Sequence, residues 1–500
     1  METWWLLLPL LLVPAVGASG CLLLRSPKAV LVCVWAIVAA ETAFAAAAVS
    51  TVFTQGPVEA CGGWFYLDAL SAYHLVILLM VFGLSSVYAW SYFGHEERAG
   101  QFSLRTARRF GALWLGSLGA MALVLISNNL GVVWVGIEAT TVLTAFLICL
   151  HVSPGSLEAM WKYLIVCSVG VAFAFIGTLL IGAAAGQAHL AASDALLWTR
   201  LRDVAPALNP RLLKMAFIFM LVGYGTKAGL APMHNWLPDA HSQAPAPVSA
   251  VFSGVLLNAA LYCILRCVPL VEAATGNSGW ALDLLMLVGL ISILVAAAFI
   301  IFQHDAKRLL AYHSVEHLGI IALGVGLGGF GVFAAMFHVM NHSLCKSLGF
   351  FSAGRLGQLY GTHDLRCLAG AARSAPLWGG GLFVSLLALI GVAPFAIFMS
   401  EFQILKAATD KGAFVVMAIF LAGTSIVFVA ALGHAITTAW GQSSEQPALA
   451  HRQLGIEKST LIEKALVVVP LGLLLVVGLW MPEFMRGALA QAAGIISGGP

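Results

Sequence analysis

The sequence predicts an all-α protein that crosses a lipid membrane many times. The chain has 500 residues, of which 61% are hydrophobic and only 9% are charged, and its mean hydropathy is +0.95. A soluble globular domain carries roughly 25% charged residues, because its surface has to face water. Lipid must therefore be the solvent for most of this chain.

The apolar segments of membrane-spanning length define the predicted elements in chain order. A helix needs about 20 apolar residues to cross the hydrocarbon layer. The first segment lacks a basic start and a small-residue cleavage site, so we interpret it as a membrane helix and not as a removed signal peptide. The sequence predicts about fourteen spans, at residues 4–24, 29–53, 64–90, 110–127, 129–150, 161–184, 212–235, 247–268, 281–302, 309–327, 330–356, 377–408, 414–440 and 461–482.

The loops between these segments indicate the orientation of the chain. With the N-terminus outside, the cytoplasmic loops hold more Lys and Arg than the opposite loops, as the positive-inside rule requires. This assignment places Lys307 in a cytoplasmic loop and Arg266 in an opposite loop. An even number of spans then places both termini on the non-cytoplasmic side. Residues 441–460 are polar and are expected to form a solvated cytoplasmic loop.

Ionisable residues inside the predicted spans are the candidates for function: Glu138, Lys227, Lys346 and Glu401. Each costs on the order of 2.5–3.5 kcal/mol at the centre of a bilayer, so the set costs roughly 10 kcal/mol. Charges of both signs favour a pathway for protons or ions, and static ion pairs that fix helix packing are the alternative. Glu138 and Lys227 are the natural pair, since a lysine with a carboxylate partner can load and release a proton.

His338, His342 and Lys346 recur every four residues and therefore share one helix face. We call these three residues the histidine–lysine stripe. Such a stripe can pass a proton from group to group. A metal site is the alternative, since His at positions i and i+4 can chelate. We expect no metal, because HExxH is absent and no third ligand is evident.

Other histidines extend the set of candidates. His313 and His317, with Glu316, lie near a predicted helix start, where they either extend the route or face water. His234 follows Lys227 by seven residues, which would place it on nearly the same helix face two turns further on. We therefore include His234 and His317 among the candidate proton-carrying residues.

Two predicted spans contain the same helix-breaking pattern. Gly229-Leu-Ala-Pro232 lies in span 7 and Gly391-Val-Ala-Pro394 in span 12. Proline frees backbone carbonyls, which a membrane tolerates only where protein or water satisfies them. Two breaks five spans apart indicate two inverted five-helix repeats, as in ion and proton transporters; unrelated proline kinks are the alternative. The predicted organisation is an N-terminal three-helix segment, a first repeat, a second repeat, and a C-terminal helix and tail, at residues 1–109, 110–268, 281–440 and 461–500.

Signatures of bound cofactors are absent from the sequence. The nine cysteines form no CxxC pair, and no haem, iron–sulfur or zinc motif occurs. The net charge of +3 is too small to indicate nucleic-acid binding. We expect no redox or catalytic cofactor in this chain, so any electron transfer must occur on another subunit.

The motif-bearing segments resemble a known family over roughly residues 60–440. His234-Asn-Trp-Leu-Pro-Asp-Ala-His-Ser-Gln-Ala-Pro245, with Lys227 before it, resembles the antiporter-like membrane subunits of respiratory complex I and its relatives. Tyr312-His-Ser-Val-Glu-His317 and Ser400-Glu401-Phe402 look most like the F-type membrane subunit of hydrogenase-4 and formate-hydrogenlyase-like complexes.

The resemblance implies fourteen helices, two inverted five-helix units and no bound redox centre. It implies that Glu138 and Lys227 form the first half-channel pair and that Glu401 is the terminal exit group. It also implies a linking Lys or His on span 8, where this chain has Asn258. Asn carries no proton at neutral pH, so the link would have to run through water, His234 or the histidine–lysine stripe.

The expected function is proton translocation by an antiporter-like membrane subunit of an oxidoreductase complex, of the hydrogenase-4, formate hydrogenlyase or NADH-quinone oxidoreductase type. The expected partners are other membrane subunits, a peripheral redox arm and the lipid bilayer, with no quinone bound in this chain. A Mrp-type or stand-alone cation/proton antiporter and a structural membrane anchor with a vestigial channel are the alternatives. The expected location is the bacterial plasma (inner) membrane.

Overall fold

Helices occupy every predicted span in the computed structural model, which describes residues 4–442 and 459–499. Within these residues, 11 helices are long and apolar enough to cross a membrane. Spans 7 and 12 lack such a helix because they are broken, and span 11 lacks one because its helix carries the polar stripe. The all-α polytopic fold is confirmed. Most of the predicted polar loop at 441–460 lies outside the described residues.

The helices follow the predicted organisation. The N-terminal helices are α1 (Trp4–Leu7), α2 (Pro9–Leu23), α3 (Pro27–Gln55) and α4 (Ala69–Arg98). The next group is α5 (Leu104–Ile126), α6 (Leu130–Ile148), α7 (Pro154–Gln187), α8 (Trp198–Asp203), a 3-10 turn (Ala205–Ala207), α9 (Pro210–Ala228), α10 (Leu237–Gln243), α11 (Ala246–Val251), a π-helical turn (Phe252–Leu256) and α12 (Leu257–Ala274). The third group is α13 (Trp280–Ile300), α14 (Ala306–Leu327), α15 (Phe330–Tyr360), α16 (Ala371–Ser374), α17 (Pro376–Leu389), α18 (Ala396–Asp410) and α19 (Phe414–Trp440). The last helices are α20 (Leu461–Leu479) and α21 (Glu483–Ile496).

The third span begins later than predicted because a β-hairpin precedes it. Strands β1 (Val58–Ala60) and β2 (Phe65–Leu67) pair antiparallel. Asp68 then caps α4, since its carboxylate accepts a hydrogen bond from the Ser71 backbone N–H at 3.0 Å. The helix runs on to Arg98 instead of ending near residue 90.

The most deeply buried helices lie at the centre of the bundle. The apolar stretches of span 8 (α11 to α12) and of α14 are 100% buried, whereas those of α19 and α20 are only 22% and 28% buried. α15 packs against α14 and against the π-helical turn of span 8. The peripheral helices present their apolar side chains to lipid, and the central helices carry the ionisable residues.

Spans 7 and 12 are broken in the same way, as predicted. α9 ends before Gly229, which has a left-handed backbone (φ 76°), and Gly391 after α17 has φ 70°. Each is followed by a cis peptide bond, Ala231–Pro232 and Ala393–Pro394. The chain then resumes as α10 and α18.

Polar partners satisfy the backbone groups at these breaks. The Ala231 N–H donates to Ser292 Oγ at 3.0 Å, and the Trp236 indole donates to the Thr226 carbonyl at 2.8 Å. At the second break, the Asn341 amide donates to the Ala396 carbonyl at 3.0 Å. Irregular backbone is therefore accommodated inside the bundle by protein groups.

The starts of α6 and α14 make equivalent backbone contacts. The Leu130 N–H donates to the Leu196 carbonyl and the Ala306 N–H donates to the His363 carbonyl, both at 2.9 Å. In each case the acceptor lies in the segment that leads into a broken span. The contacts place residue 130 and residue 306 at corresponding positions.

The loop assignments of Lys307 and Arg266 are wrong. Lys307 is 2% exposed, and its ammonium donates to the carbonyls of Ser242 (3.0 Å) and Ala244 behind α10. Arg266 is 7% exposed and forms an ion pair with Asp68. Both cations are buried because acceptors from distant segments surround them.

Candidate functional site

The Lys227 side chain lies in the last turn of α9 and is fully buried. Its ammonium donates to Thr141 Oγ1 at 3.0 Å and to the Tyr163 hydroxyl, and it lies 4.5 Å from the centre of the Tyr163 ring. The Tyr163 hydroxyl also lies 2.6 Å from Thr144 Oγ1. Neutral hydroxyls from α6 and α7 therefore surround this lysine.

Glu138 does not pair directly with Lys227, so the expectation of a contacting pair is wrong for the described residues. Ser168 on α7 donates to Glu138 Oε1 at 2.8 Å, and Oε2 has no hydrogen-bond partner. Thr141, one turn after Glu138 on α6, is the residue that reaches Lys227. Hydroxyl groups thus separate the carboxylate from the ammonium, and Tyr163 was missed because a lone tyrosine in an apolar span carries no motif.

In the second half, hydrogen bonds join α14, α15 and α18. His317 Nδ1 lies 2.8 Å from His338 Nε2, and His338 Nδ1 lies 2.9 Å from Ser400 Oγ. Glu401 follows Ser400 on α18, and its carboxylate rests against Gly391. Ring and carboxylate atoms of His317, His338 and Glu401 all lie within 4.8 Å of one another. The structure brings three predicted residues into one cluster.

The histidine–lysine stripe faces α14, as its spacing predicts for a single face. The rings of His342 and His317 have centroids 5.2 Å apart, and neither His342 nitrogen has a hydrogen-bond partner among the described residues. The Lys346 ammonium donates to the Leu310 carbonyl. All three residues of the stripe thus contact the same neighbouring helix.

His313 and Glu316 belong to the same cluster. Both are buried, so the alternative that they face water is wrong. His313 Nδ1 lies 2.8 Å from Glu316 Oε2. Glu316 was left out of the candidate set because its place near a predicted helix start gave no sign of burial.

The cluster also supplies the third metal ligand that the sequence did not reveal. Atoms of His313, Glu316 and His317 lie within 4.8 Å of one another, and so do those of His317, His338 and Glu401. Imidazole and carboxylate groups suit Zn²⁺. The same nitrogen atoms are joined by hydrogen bonds, an arrangement that passes protons, so metal binding stays the alternative.

Asn258 lies where the two halves meet. Its amide donates to the Gly254 carbonyl at 2.8 Å and to Ser343 Oγ at 3.1 Å, and its Oδ1 has no partner. In the adjacent π-helical turn, Ser253 Oγ lies 2.7 Å from Ser314 Oγ. Hydroxyl and amide groups make this contact, with no ionisable side chain in it.

His234 does not share a helix face with Lys227, because α9 ends at Ala228. The His234 ring packs edge-on against Phe299 and Tyr312, with centroids 6.2 Å away in each case. A buried carboxylate was also overlooked: Glu41 on α3 is fully buried, and neither oxygen has a hydrogen-bond partner among the described residues.

Comparison with known proteins places this geometry in context. The family described as NADH:quinone oxidoreductase/Mrp antiporter, transmembrane, matches residues 127–427. A hydrogenase-4 component F homolog of Methylacidiphilum infernorum is 39% identical over 361 residues, covering 72% of this chain and 76% of the relative.

Solved structures share the fold over nearly the whole chain. A chain of an archaeal membrane-bound sulfane sulfur reductase superposes with a TM-score of 0.85 at 24% identity, covering 98% of this chain and 97% of that chain. A chain of Thermus thermophilus respiratory complex I superposes with a TM-score of 0.75 at 25% identity, covering 96% and 99%. The chain belongs to the NADH:quinone oxidoreductase/Mrp antiporter transmembrane family.

Proposed function

We propose that this chain is the proton-translocating, antiporter-like membrane subunit of an oxidoreductase complex. The observation that carries the proposal is the burial of two lysines, Lys227 and Lys346, among neutral hydrogen-bond partners. No carboxylate forms an ion pair with either lysine in the described part of the chain. An ammonium held by hydroxyl or carbonyl groups can lose its proton without leaving a buried counter-charge behind.

The proposed route has two parts. The first contains Glu138 and Lys227, joined through hydroxyl groups. The second contains His317, the histidine–lysine stripe and Glu401 as the exit group. His234 stays a predicted member. Moving one proton against 100 mV requires about 2.3 kcal/mol, which charge shifts in the membrane arm would supply during redox chemistry on partner subunits.

We also propose that residues 110–268 and 281–440 are inverted repeats, between an N-terminal segment (1–109) and a C-terminal helix and tail (461–500). The matching breaks at Pro232 and Pro394 support this division. So do the equivalent backbone contacts at the starts of α6 and α14. Five helices per repeat would invert the second copy in the membrane.

The proposed assembly follows from the relatives. The similarity to a hydrogenase-4 component F homolog favours a complex of the hydrogenase-4 type, with other membrane subunits and a peripheral redox arm. The proposed location is the bacterial inner membrane, with both termini on the non-cytoplasmic side, as the loop charges predict.

Replacing Lys227 tests the function. In vesicles that contain the whole complex, Lys227→Ala should abolish proton uptake driven by the electron donor. The matched control is Lys406→Ala, because Lys406 is exposed and pairs only with Asp410. Undiminished uptake in Lys227→Ala would refute the mechanism.

The alternatives make different predictions in the same vesicles. A Mrp-type or stand-alone antiporter would exchange sodium or potassium for protons without an electron donor. A structural anchor would leave uptake unchanged when Lys227 and Lys346 are replaced together. Donor-driven uptake that depends on both lysines and not on sodium would exclude both alternatives.

A further inference from the structure

Glu316 lies inside the second-half cluster but is not one of the predicted proton-carrying residues. The side chain is 2% exposed, and its Oε2 is 2.8 Å from His313 Nδ1. No lysine or arginine forms an ion pair with it in the described part of the chain. A buried carboxylate without a permanent cationic partner is costly when it stays charged, so a purely structural role would have little to hold it there.

The tight turn after α14 decides which residues of α15 lie opposite Glu316. α14 ends at Leu327 and α15 begins at Phe330, so the two helices run antiparallel and residues equally far from the turn meet. His317 accordingly meets His338, and the Leu310 carbonyl meets the Lys346 ammonium. By the same register, His313 lies between the levels of His342 and Lys346.

These contacts form an ordered series along α14. A helical carbonyl points towards the residue four positions on, so the ammonium bound to the Leu310 carbonyl lies near the level of His313. His313 reaches Glu316, and atoms of His313, Glu316 and His317 lie within 4.8 Å of one another. Beyond His317 the series continues to His338 and Glu401.

We propose that Glu316 is a proton-carrying residue that takes up the proton released by Lys346 and passes it to His317. The inference rests on the proposed function, since it adds an intermediate carrier to that route. It also gives the histidine–lysine stripe a competitor, because a path through His342 would bypass Glu316.

The transfer is balanced in protons and charge. With Nδ1 donating to Glu316, the His313 Nε2 carries the lone pair, and no group is hydrogen-bonded to it in the described residues. Nε2 accepts a proton from the Lys346 ammonium while Nδ1 gives its proton to Glu316 Oε2. The ammonium and carboxylate become a neutral amine and a neutral carboxylic acid.

The test compares two buried carboxylates. In vesicles with the whole complex, Glu316→Gln is expected to lower proton uptake per electron pair on the order of 100-fold, the usual size of a lost acid–base group. Glu41→Gln is the matched control, since Glu41 is equally buried on α3 and lies outside the cluster. Infrared difference spectra should show a carboxylic-acid band during turnover that Glu316→Gln removes and Glu41→Gln retains.

Further variants separate the outcomes. If Glu316→Gln does not assemble, the size-matched pair Glu316→Asp and Glu316→Asn replaces it, and only the aspartate should support uptake. Full uptake in the variant without a carboxylate, with loss in Lys346→Ala and His342→Ala, would overturn the inference and leave the proposed function standing. Full uptake in Lys346→Ala as well as Lys227→Ala would refute the proposed function itself.

Discussion

Both buried lysines are held by neutral oxygen atoms. Lys227 donates to two hydroxyls, and Lys346 donates to a main-chain carbonyl. A buried lysine needs partners, since an unsatisfied ammonium in this environment would cost several kcal/mol. Hydroxyl groups can donate as well as accept, so they can also solvate the neutral amine. The surroundings of Lys227 therefore suit both of its protonation states.

Tyr163 provides a residue-scale test of this idea. Tyr163→Phe removes one of two hydroxyl partners of the Lys227 ammonium, and a hydrogen bond to a charged group contributes about 1.5–3 kcal/mol. Since 1.4 kcal/mol corresponds to a factor of ten, we expect proton uptake per electron pair to fall about tenfold. Tyr88→Phe is the control, because that hydroxyl donates to the Phe351 carbonyl at 2.9 Å, away from the cluster. Equal losses in the two variants would contradict the role of Tyr163.

A second residue-scale prediction concerns pH. The hydrogen bond to Glu96 raises the pKa of His151, whose Nε2 lies 3.0 Å from Glu96 Oε2 in the turn before α7. Because the folded-state pKa exceeds the unfolded value of about 6.5, the contact stabilises the fold below that pH, and the contribution is lost as pH rises through the folded-state pKa.

We therefore expect His151→Gln to lower the melting temperature of the purified protein at about pH 5.5 and to leave it unchanged at about pH 9. His304→Gln is the control, since His304 is an exposed histidine. The same destabilisation at both pH values would show that charge on His151 is not the cause.

At the scale of the element, each helix break places an ionisable group. Lys227 lies two residues before Gly229, at the C-terminal end of α9, where the helix dipole favours a cation. In span 12 the chain turns at Gly391, and the Glu401 carboxylate packs against that glycine. The breaks therefore set the positions of one group in each half.

Gly391→Ala tests this arrangement. A Cβ at this position would collide with the Glu401 carboxylate, so the substitution should displace that group and lower proton uptake several-fold. Gly412→Ala is matched in backbone, because Gly412 also has φ 70° but has open space around it. Both should lose about 1–2 kcal/mol of stability from the left-handed backbone, measured by thermal unfolding. If Gly412→Ala lowers uptake equally, backbone strain and not Glu401 is responsible.

Sequence reasoning reached the elements better than their contacts. Both broken helices follow from a Gly-x-Ala-Pro pattern, which depends only on local chemistry. The pairing of His317 with His338 was also within reach, because the short turn after Leu327 forces residues at equal distance from it to meet. The contact of Tyr163 with Lys227 was not, since α7 and α9 are separated by a long connection whose path the sequence does not specify.

At the scale of the whole molecule, buried polar contacts join segments that are far apart in the chain. Asp68, before α4, binds Arg266 near the end of span 8, with Nη1–Oδ2 and Nη2–Oδ1 distances of 2.5 and 2.6 Å. The Tyr262 hydroxyl accepts from Arg266 Nε at 2.8 Å, and the Trp198 ring centre lies 4.6 Å from the guanidinium. This contact fastens the N-terminal segment to the first proposed repeat. The sequence could not predict it, because it depends on how spans 3 and 8 pack.

Breaking this contact should cost stability without affecting proton transfer. Asp68→Asn leaves the buried Arg266 without a counter-charge, and loss of one partner of a buried pair costs about 3–5 kcal/mol. We expect a lower unfolding midpoint in detergent and less assembled complex. The double substitution Asp68→Asn with Arg266→Met removes both charges and should recover most of the loss, since apolar replacement of a buried pair is often tolerated. Complex that does assemble should take up protons normally, because neither residue lies on the proposed route. A stable Asp68→Asn, or a double variant weaker than the single one, would contradict this account of how the N-terminal segment is held.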